Sequence, residues 1–597
     1  MKSCDSENRG SWSCSKVKFK VGNLLVLMMA RIDTLTFKFG PTKGVPGQTV
    51  QVPSVLLFVG PNESGKTLAS ILIKEWYDGS HDTIDARMFA DASFKVFDRD
   101  EALAFLKPLE SAFHAENEQP IWTGDIHGSI SHDRSVNLLD FCSADAFKEK
   151  NWRSSHLSRF RIAPRLENVL SVMQETDARP LGATGRFQNL HQLLLVDRTR
   201  LNKVNRIIHA ACGFYVAVQL LDNGKFRLQL NPEPPPDEVP GMILSTNLQS
   251  YYKNGTYVEA FGDGLRAFLG LVMCIFPFEH KLVVLDEPEL HLHPPLANRL
   301  AQELVHEIVR RNGQLIIATH SSDIVAGCIA ATDDIAMARL TFSKVSGQAT
   351  AKVVAKTELE PFVSNSVVRN TDALAGIFHE ATIAVEGVFD KIAYAEFNRC
   401  LQLQGRDIGI RDPHFVSAGS CAQVLKVAHV MRQTGTPAAA ILDFDVLYSD
   451  SIDWQKGEMD RLGVDGVEQD EMLKSLVFVK QELRKCVAGL TKDQAKQKVK
   501  HEGINLLNDV ERTKTEALLR RLSQFGLFIA AQGELESMVA HGLQFNRTGI
   551  GKETTIDFGM KKLASHSYVI PDDLTDPTRD IWSLLDNVGR WARKQIE

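Results

Sequence analysis

The stretch that decides the fold is GPNESGKT, which runs from Gly60 to Thr67. It matches the pattern GxxxxGK[ST] and directly follows SVLLFV at positions 54–59, an apolar run of buried-strand length. Glycines in such a loop let backbone N–H groups surround phosphates at the positive end of the following helix. The alternative, a glycine-rich surface turn, is disfavoured by this context. The pattern predicts that nucleotide is bound by Gly60, Asn62, Gly65, Lys66 and Thr67.

A second stretch supplies the acids that such a loop requires. LVVLDEPE, residues 282–289, is an apolar run that ends in Asp286 and Glu287. The first carboxylate is expected to support Mg²⁺ together with the Thr67 hydroxyl, and the second to orient or deprotonate the attacking water. LIIA at 315–318 is followed by His320, which we expect to sense the γ-phosphate. The sequence thus predicts an α/β ATPase with ATP and Mg²⁺ as cofactors.

Composition limits the class of protein. The 597 residues correspond to about three to four domains. A formal net charge of −6 excludes a globally basic protein that coats nucleic acid, although it allows a local basic groove. With 44% hydrophobic and 24% charged residues, a mostly disordered chain is excluded, and the sequence has no apolar run of about 18 residues that predicts a membrane-spanning helix. The 9 cysteines form no CxxC pair, which indicates a reducing, cytoplasmic compartment.

GPNESGKT, LDEPELHLHP and ATHS occur in the order found in the ABC-type ATPase heads of the SMC and overcoming-lysogenization-defect (OLD) families, which this part of the chain resembles. In those families two heads sandwich ATP, and a signature loop of one head completes the site of the other. The resemblance assigns that loop to AFGDGLR at 260–266, with Gly262 and Gly264 near the phosphates. No serine precedes Gly262, which departs from the family pattern and puts tight head closure in doubt. The resemblance implies a homo-oligomer, either a dimer or larger.

Further along the chain, carboxylates follow two more apolar runs. TIAV at 382–385 is followed by Glu386, and AAAIL at 438–442 is followed by Asp443 and Asp445. The spacing of two predicts that Asp443 and Asp445 share one face of an extended backbone. At adjacent parallel strand ends, such acids repel one another unless divalent cations neutralise them, and hard oxygen ligands favour Mg²⁺ or Mn²⁺. Two such ions suit phosphodiester displacement, whereas ordinary surface acids are the alternative interpretation.

This second block resembles the TOPRIM fold shared by topoisomerases, primases and OLD-family nucleases. The resemblance makes Glu386, Asp443 and Asp445 catalytic. The metal-binding residues that it implies are Glu386, Asp390, Asp443, Asp445 and Glu536. A lysine near the C-terminus assists catalysis in that family, and the candidates here are Lys552, Lys561 and Lys562. A topoisomerase is disfavoured, since the chain leaves no room for strand-passage domains.

We therefore predict an α/β chain with two functional parts. The first is an ABC-type P-loop ATPase head at 31–375, with a largely helical insertion at about 98–206. The second is a Rossmann-like TOPRIM nuclease domain at 376–597, with a helical insertion at about 450–525. Residues 1–30 are interpreted as a leader outside the folded core, and a secretory signal is disfavoured.

The resemblance implies an ATP-dependent endonuclease that cuts DNA. It also implies a role in defence against phage, as in Gabija nucleases, and it allows a partner protein encoded in the same operon. Two alternatives stay open. One is a TOPRIM toxin, gated by the ATPase, that cuts RNA such as transfer RNA. The other is a non-catalytic, SMC-like switch that binds DNA.

Overall fold

The computed structural model describes residues 31–95, 161–162, 166–178, 189–237, 245–450, 466–545 and 552–596, apart from positions 43, 82, 279, 345, 371 and 406, together with residues 452, 454, 459, 463 and 464. The predicted leader at 1–30 and most of the insertion predicted at about 98–206 lie outside the described residues. The described part of that insertion contains the predicted helices, and it also contains short strands at Arg161–Ile162 and Thr176–Asp177.

The N-terminal half alternates strands and helices. Its strands are β1 (Ile32–Phe37), β2 (Thr49–Gln51), β3 (Val55–Val59), β4 (Phe89–Phe94), β5 (Arg161–Ile162), β6 (Thr176–Asp177), β7 (Tyr215–Leu220), β8 (Lys225–Asn231), β9 (Thr256–Tyr257), β10 (Leu282–Asp286), β11 (Gln314–Ala318), β12 (Ile335–Ser343) and β13 (Gln348–Ala355). Its helices are α1 (Lys66–Tyr77), α2 (Leu166–Ser171), α3 (Leu190–Val196), α4 (Arg198–Cys212), α5 (Thr246–Asn254), α6 (Asp263–Ile275), α7 (Pro294–Arg310) and α8 (Ser322–Ala331). The apolar runs singled out in the sequence are the strands β3, β10 and β11.

The main sheet of this half has the strand order β13-β12-β3-β11-β10-β5. Its strands pair in parallel except for β13, which runs antiparallel to β12 at one edge. One face packs against α6, α7 and α8, and the other packs against α1 and β1, so β3 and β11 are buried along their whole length. Burial on both faces explains why these strands are continuous apolar runs. Because β3, β10 and β11 are parallel, the residues that follow them meet at one edge.

Two smaller antiparallel sheets flank the main one. The order β2-β1-β4 forms the first, and β8 pairs with β6, β7 and β9 in the second. The buried Gln314 side chain joins the first of these to the main sheet, since its amide nitrogen donates to Ile32 O at 2.9 Å and its oxygen accepts from Ile32 N at 2.7 Å.

The C-terminal half begins after a linking segment. That segment contains α9 (Lys356–Leu359), α10 (Pro361–Ser364), α11 (Ser366–Asn370) and a 3-10 helix, Ala373–Phe378. The strands that follow are β14 (Ala381–Val385), β15 (Pro413–Ser417), β16 (Ala438–Asp443) and β17 (Leu527–Ala530). The helices are α12 (Val388–Gln402), α13 (Cys421–Gln433), α14 (Gly466–Cys486), α15 (Lys492–Glu502), α16 (Asp509–Gln524), α17 (Leu535–Gly542), α18 (Lys552–Ala564) and α19 (Ile581–Ile596), with 3-10 helices at Phe444–Leu447 and Gly503–Leu506.

The sheet of the C-terminal half has the order β15-β14-β16-β17, and all its pairings are parallel. One face packs on α13, α14 and α16, and the other on α12, α17 and α19. The helices α14, α15 and α16 lie within residues 450–525, the range in which the sequence analysis expects a helical insertion. Within the part of the chain that the structure describes, none of the helices has both the length and the apolar character needed to cross a bilayer.

Helix α19 depends on a close approach at Gly589, where an added Cβ would lie 2.0 Å from Gly409 O. Gly589→Ala must therefore displace the helix or the loop, and we expect the free energy of unfolding to fall by about 1–3 kcal/mol. A lower melting temperature checks this. The exposed Lys594 on the same helix provides the control, because Lys594→Ala touches no core contact and should leave stability within about 0.5 kcal/mol. Equal melting temperatures for both variants would contradict the described packing.

Candidate functional site

The phosphate loop joins β3 to α1 in a conformation that requires glycine. Gly60 has φ 137° and Gly65 has φ 95°, values that residues with a Cβ rarely adopt. A Cβ on Gly60 would also lie 2.0 Å from Leu340 O, so the loop lies directly against β12. The backbone of residues 60–67 is thus held tightly at the end of the main sheet, which is the arrangement predicted from GPNESGKT.

Lys66 is buried and folded back onto this loop. Its Nζ donates to Gly60 O at 2.9 Å and to Pro61 O at 2.8 Å. Burial lowers the pKa of Lys66 to about 8, and the negative charge of Glu287, followed by that of Asp286, opposes this shift. A phosphate placed in the loop would favour the charged form of the amine, which is the electrostatic basis of its expected role.

Thr67 and Asp286 meet where the ends of β3 and β10 converge. The Thr67 hydroxyl donates to Asp286 Oδ1 at 3.0 Å. Burial raises the pKa of Asp286, while the hydrogen bond from Thr67 lowers it. A hydroxyl and a carboxylate side by side are hard oxygen donors, and they fit the Mg²⁺ that accompanies a nucleoside triphosphate.

Glu287 and His320 face each other across neighbouring strand ends. Glu287 has φ 47°, and its N–H donates to Ala318 O at 2.8 Å, which fixes the turn after β10. The His320 Nε2 lies 3.5 Å from Glu287 Oε1. Burial, and then the charge of Lys66, lower the pKa of His320, which favours the neutral ring. The site therefore has a carboxylate and an imidazole where an attacking water and a γ-phosphate are expected.

A positioning residue that the sequence analysis missed is Glu289. Its Oε1 accepts from Thr319 Oγ1 at 2.7 Å and from His320 N at 2.7 Å, and burial raises its pKa. Glu289 thereby holds the loop that carries His320. The signal was present in the sequence, since Glu289 is the third acid of DEPE, but only the fold shows which loop it contacts.

The signature-loop glycines lie at the start of α6. Gly262 is the residue before the helix, and a Cβ on Gly264 would lie 2.5 Å from His291 O. The loop therefore packs against the HLHP stretch that follows Glu289. Asp263 and Arg266 form an ion pair of 3.1 Å at the same place.

The second site lies at the carboxyl edge of the C-terminal sheet. Glu386 follows β14, Asp443 ends β16, and these strands are parallel neighbours, as expected from the sequence. The prediction that Asp445 shares an extended backbone with Asp443 is wrong. The strand ends at Asp443, and Asp445 lies in the 3-10 helix Phe444–Leu447. A hydrogen bond of 2.6 Å from Phe444 N to Gly533 O holds this turn.

Lysines of α15 provide the counter-charge of the acid cluster, by which we mean Glu386, Asp443 and Asp445. The Lys500 Nζ lies 2.7 Å from Asp443 Oδ2 and 4.0 Å from Asp445 Oδ1, and the Lys496 Nζ lies 3.4 Å from Asp445 Oδ2. Burial raises the pKa of Asp443 to about 7 and also raises that of Glu386, while the Lys500 charge opposes both shifts. Sequence reasoning missed these lysines, because the charged pattern KDQAKQKVKHE at 492–502 is typical of a solvent-exposed helix.

The lysines proposed from the family resemblance contact other groups. Lys561 pairs with Asp557 at 2.7 Å, and the Lys562 Nζ donates to Leu543 O at 3.1 Å. The expectation that a lysine near the C-terminus joins the acids is therefore not met by Lys561 or Lys562. The side chain of the third candidate, Lys552, lies outside the described residues.

The other two acids predicted for this site, Asp390 and Glu536, act electrostatically on the buried Tyr394. Burial raises the pKa of the Tyr394 hydroxyl, and the charges of Asp390, Asp443, Glu536 and Glu386 add to the shift. All four carboxylates thus act on one buried phenol. Among the described residues, no group of three or more His, Cys, Asp and Glu side chains forms a ready-made metal site.

Asp390 has a structural task as well. Its Oδ2 accepts from Gly387 N at 2.8 Å, which caps the start of α12. Asp390 thereby fixes the turn that directs Glu386 toward the sheet edge.

Comparisons with known proteins bear on the first site. A family model described as "AAA domain, putative AbiEii toxin, Type IV TA system" matches residues 142–326. This range contains β10, β11 and His320, and it begins after the phosphate loop. A stretch of 43 residues is 54% identical to protein ea59 of Escherichia phage lambda, and it amounts to 7% of this chain and 8% of ea59. The match thus covers a small part of that relative.

Solved structures similar to this chain include an SMC head bound to the C-winged helix domain of ScpA (TM-score 0.33, 12% identity, 55% of this chain and 99% of that one). Another is the SMC head domain of Thermotoga maritima, with a TM-score of 0.26 and 14% identity over 54% of this chain and 99% of that one. A third is cbiO1 of Clostridium perfringens, part of an ABC transporter complex, with a TM-score of 0.27 and 9% identity over 57% of this chain and 94% of that one. TM-scores this low carry no argument about function. The family model and the geometry of the phosphate loop identify an α/β P-loop ATPase that binds ATP.

The nucleotide site can be divided by mutation. Lys66→Ala removes the buried ammonium and should abolish tight ATP binding. Glu287→Gln keeps the phosphate contacts and should preserve binding, but slow hydrolysis by about 100-fold or more. Nucleotide affinity and phosphate release measure the two effects. Glu75→Gln, near the far end of α1 and paired with His81, is the control and should change neither. Normal turnover in both site variants would refute the assignment.

Proposed function

We propose that this ATPase is coupled to a metal-dependent endonuclease that cleaves phosphodiester bonds of DNA, in the manner of the OLD family. The proposed ATPase head comprises residues 31–375, and the proposed TOPRIM domain comprises 376–597. The observation that carries the proposal is the acid cluster at the ends of the parallel strands β14 and β16. The organisation of an ATPase followed by a parallel sheet with terminal acids supports the OLD-type reading, and a part in phage defence follows from that reading alone.

In the ATPase, each residue has a proposed role that matches its position. Lys66 contacts the phosphates, Thr67 and Asp286 hold Mg²⁺, Glu287 orients water, and His320 senses the γ-phosphate. Gly262 and Gly264 lie on a loop that would act on the nucleotide of a second copy, so the working form is proposed to be a homo-oligomer. Two distances support these assignments: Thr67 Oγ1 lies 3.0 Å from Asp286 Oδ1, and His320 Nε2 lies 3.5 Å from Glu287 Oε1.

At the acid cluster, hard carboxylate oxygens fit Mg²⁺ or Mn²⁺. Glu386, Asp443 and Asp445 are proposed to hold the first ion, and Asp390 and Glu536 to contribute to a second. Bound metal would supply charge stabilisation for the attacked phosphate and the leaving oxygen. Lys500 pairs with Asp443 and offsets part of the negative charge that would otherwise repel a nucleic-acid phosphate.

RNA is the second candidate substrate. The acid cluster would perform the same chemistry on either nucleic acid. If neither DNA nor RNA is cut, the protein is better explained as a non-catalytic switch that binds DNA.

Removal of one acid tests the nuclease. Glu386→Gln and Asp443→Asn keep the side-chain shape while each removes a metal ligand, so cleavage should fall by at least about 100-fold. ATP hydrolysis and the melting temperature should change little. Plasmid DNA and transfer RNA, incubated with Mg²⁺ or Mn²⁺ with and without ATP, measure the effect and identify the substrate.

Asp450→Asn is the matched control, since Asp450 also pairs with a lysine, Lys480, but lies outside the acid cluster. It should cleave at the wild-type rate. Cleavage by Glu386→Gln or Asp443→Asn at that rate would show that the acid cluster is not the active site. Failure of the wild type on both substrates, under every nucleotide condition, would favour the switch.

Lys500 can be tested through metal binding alone. Lys500→Met removes a cation that competes for Asp443, and by a Coulomb estimate the affinity for Mn²⁺ should rise roughly tenfold. Calorimetric titration of the nucleotide-free protein measures this. Lys492→Met, exposed at the start of the same helix, is the control and should have a small effect. A weaker affinity in Lys500→Met would mean that the lysine builds the site rather than competes for it.

A further inference from the structure

Arg339 connects the two halves of the chain. It lies on β12, and its side chain is 2% exposed. Its Nε donates to Ile377 O at 3.1 Å, its Nη1 to Gly435 O at 2.9 Å, and its Nη2 to His379 O at 2.7 Å. One guanidinium from the ATPase sheet is therefore satisfied by backbone carbonyls of the C-terminal half.

The acceptors of Arg339 lie just before the strands that carry the acid cluster. Ile377 and His379 precede β14, which leads into Glu386, and Gly435 precedes β16, which ends at Asp443. These strands are short and fully buried up to their acids. A shift at their amino ends is therefore passed to their carboxyl ends, because packed strands move as rigid units.

The other end of the connection is the phosphate loop. Arg339 lies opposite Val59 in the parallel pairing of β12 with β3, and Val59 is followed directly by Gly60. The next residue of β12, Leu340, has its carbonyl so close to Gly60 that a Cβ would not fit. A rearrangement of the loop around phosphates must therefore be accommodated by β12 beside it.

A second contact reaches the same linking segment from the nucleotide site. The His320 ring centroid lies 6.1 Å from that of Phe378, the last residue of the 3-10 helix Ala373–Phe378. Arg339 binds the carbonyl of Ile377, the residue before it. The strand beside the phosphate loop, β12, and His320 therefore both contact one short segment that leads into β14.

Arg339 keeps its charge in this position. Burial lowers its pKa to about 10, and the nearby Glu380 carboxylate opposes the shift. A cavity of about 220 Å³ lies beside it, lined by Asn62 and Glu63 of the phosphate loop and by Glu380 and Arg411 of the C-terminal half. The loop and the C-terminal half thus line a common space beside Arg339.

We propose that Arg339 is a positioning residue that transmits the nucleotide state of the phosphate loop to the strands that carry the acid cluster. The role of that cluster in cleavage rests on the proposed function, whereas the nucleotide response of β14 and β16 does not. Arginine suits this task because its planar guanidinium can donate to several carbonyls in different directions at once. The compact ammonium group of lysine cannot reproduce that geometry.

Hydrogen exchange of the full chain tests the connection without a cleavage assay. In the wild type, a non-hydrolysable ATP analogue with Mg²⁺ should change amide exchange in residues 377–386 and 435–443 by at least about fivefold, the lower end of usual coupling between sites. In Arg339→Lys this response should fall below about twofold, while nucleotide affinity stays within about threefold.

Arg432→Lys is the matched control. Arg432 is a partly buried arginine that also donates to backbone carbonyls, namely Ala438 O at 2.7 Å and Phe525 O at 2.9 Å, but both acceptors lie within the C-terminal half. Its replacement should speed exchange in both nucleotide states and keep the nucleotide response. This comparison separates coupling from a general loss of stability.

Two results would overturn the proposal. One is that amide exchange at 377–386 and 435–443 of the wild type does not respond to nucleotide. This measurement uses the wild type alone, so it does not depend on whether a variant folds. The other is a full response in Arg339→Lys, or in Arg339→Gln if the first variant does not fold. The exchange experiment does not depend on cleavage. If the separate cleavage assay finds no nuclease activity while the nucleotide response is present, the proposed function is refuted and the coupling stands.

Discussion

The constraint on which the rest of this structure depends is the parallel alignment of fully buried strands. Parallel strands place their carboxyl ends at one edge of a sheet, and the residues that follow them leave the core together. In the N-terminal half this brings the phosphate loop after β3, the acids after β10 and His320 after β11 to one place. In the C-terminal half the same geometry brings Glu386 and Asp443 together.

Both edges concentrate negative charge, and both offset it with a lysine from the chain itself. Lys66 lies among Asp286, Glu287 and Glu289, and Lys500 lies among Asp443, Asp445 and Glu386. Partly buried carboxylates repel one another, so an internal cation stabilises each cluster. The lysines come from different kinds of element: the first lies in the phosphate loop itself, and the second on a helix of an insertion.

The two edges are connected through the interior rather than across the surface. β12 lies beside the phosphate loop on one side and presents a buried guanidinium to the C-terminal half on the other. A buried cation is costly unless its donors are satisfied, and backbone carbonyls at the starts of β14 and β16 satisfy this one. The relative position of the halves is therefore held between the carboxyl end of β3 and the amino ends of β14 and β16.

The sequence by itself determined the buried strands and the residues that end them. Continuous apolar runs predicted β3, β10, β11, β14 and β16, because a strand that is buried on both faces is apolar at nearly every position. GPNESGKT, DEPE and the two acid elements come directly after these runs. Only the tertiary structure decided that Asp445 lies in a 3-10 turn, that Lys500 rather than Lys561 or Lys562 reaches the acids, and that Arg339 joins the halves. These depend on which distant elements pack together. A lysine on a charged helix or an arginine in a strand has the same local pattern whether it faces solvent or a site, so long-range packing alone assigns its partner.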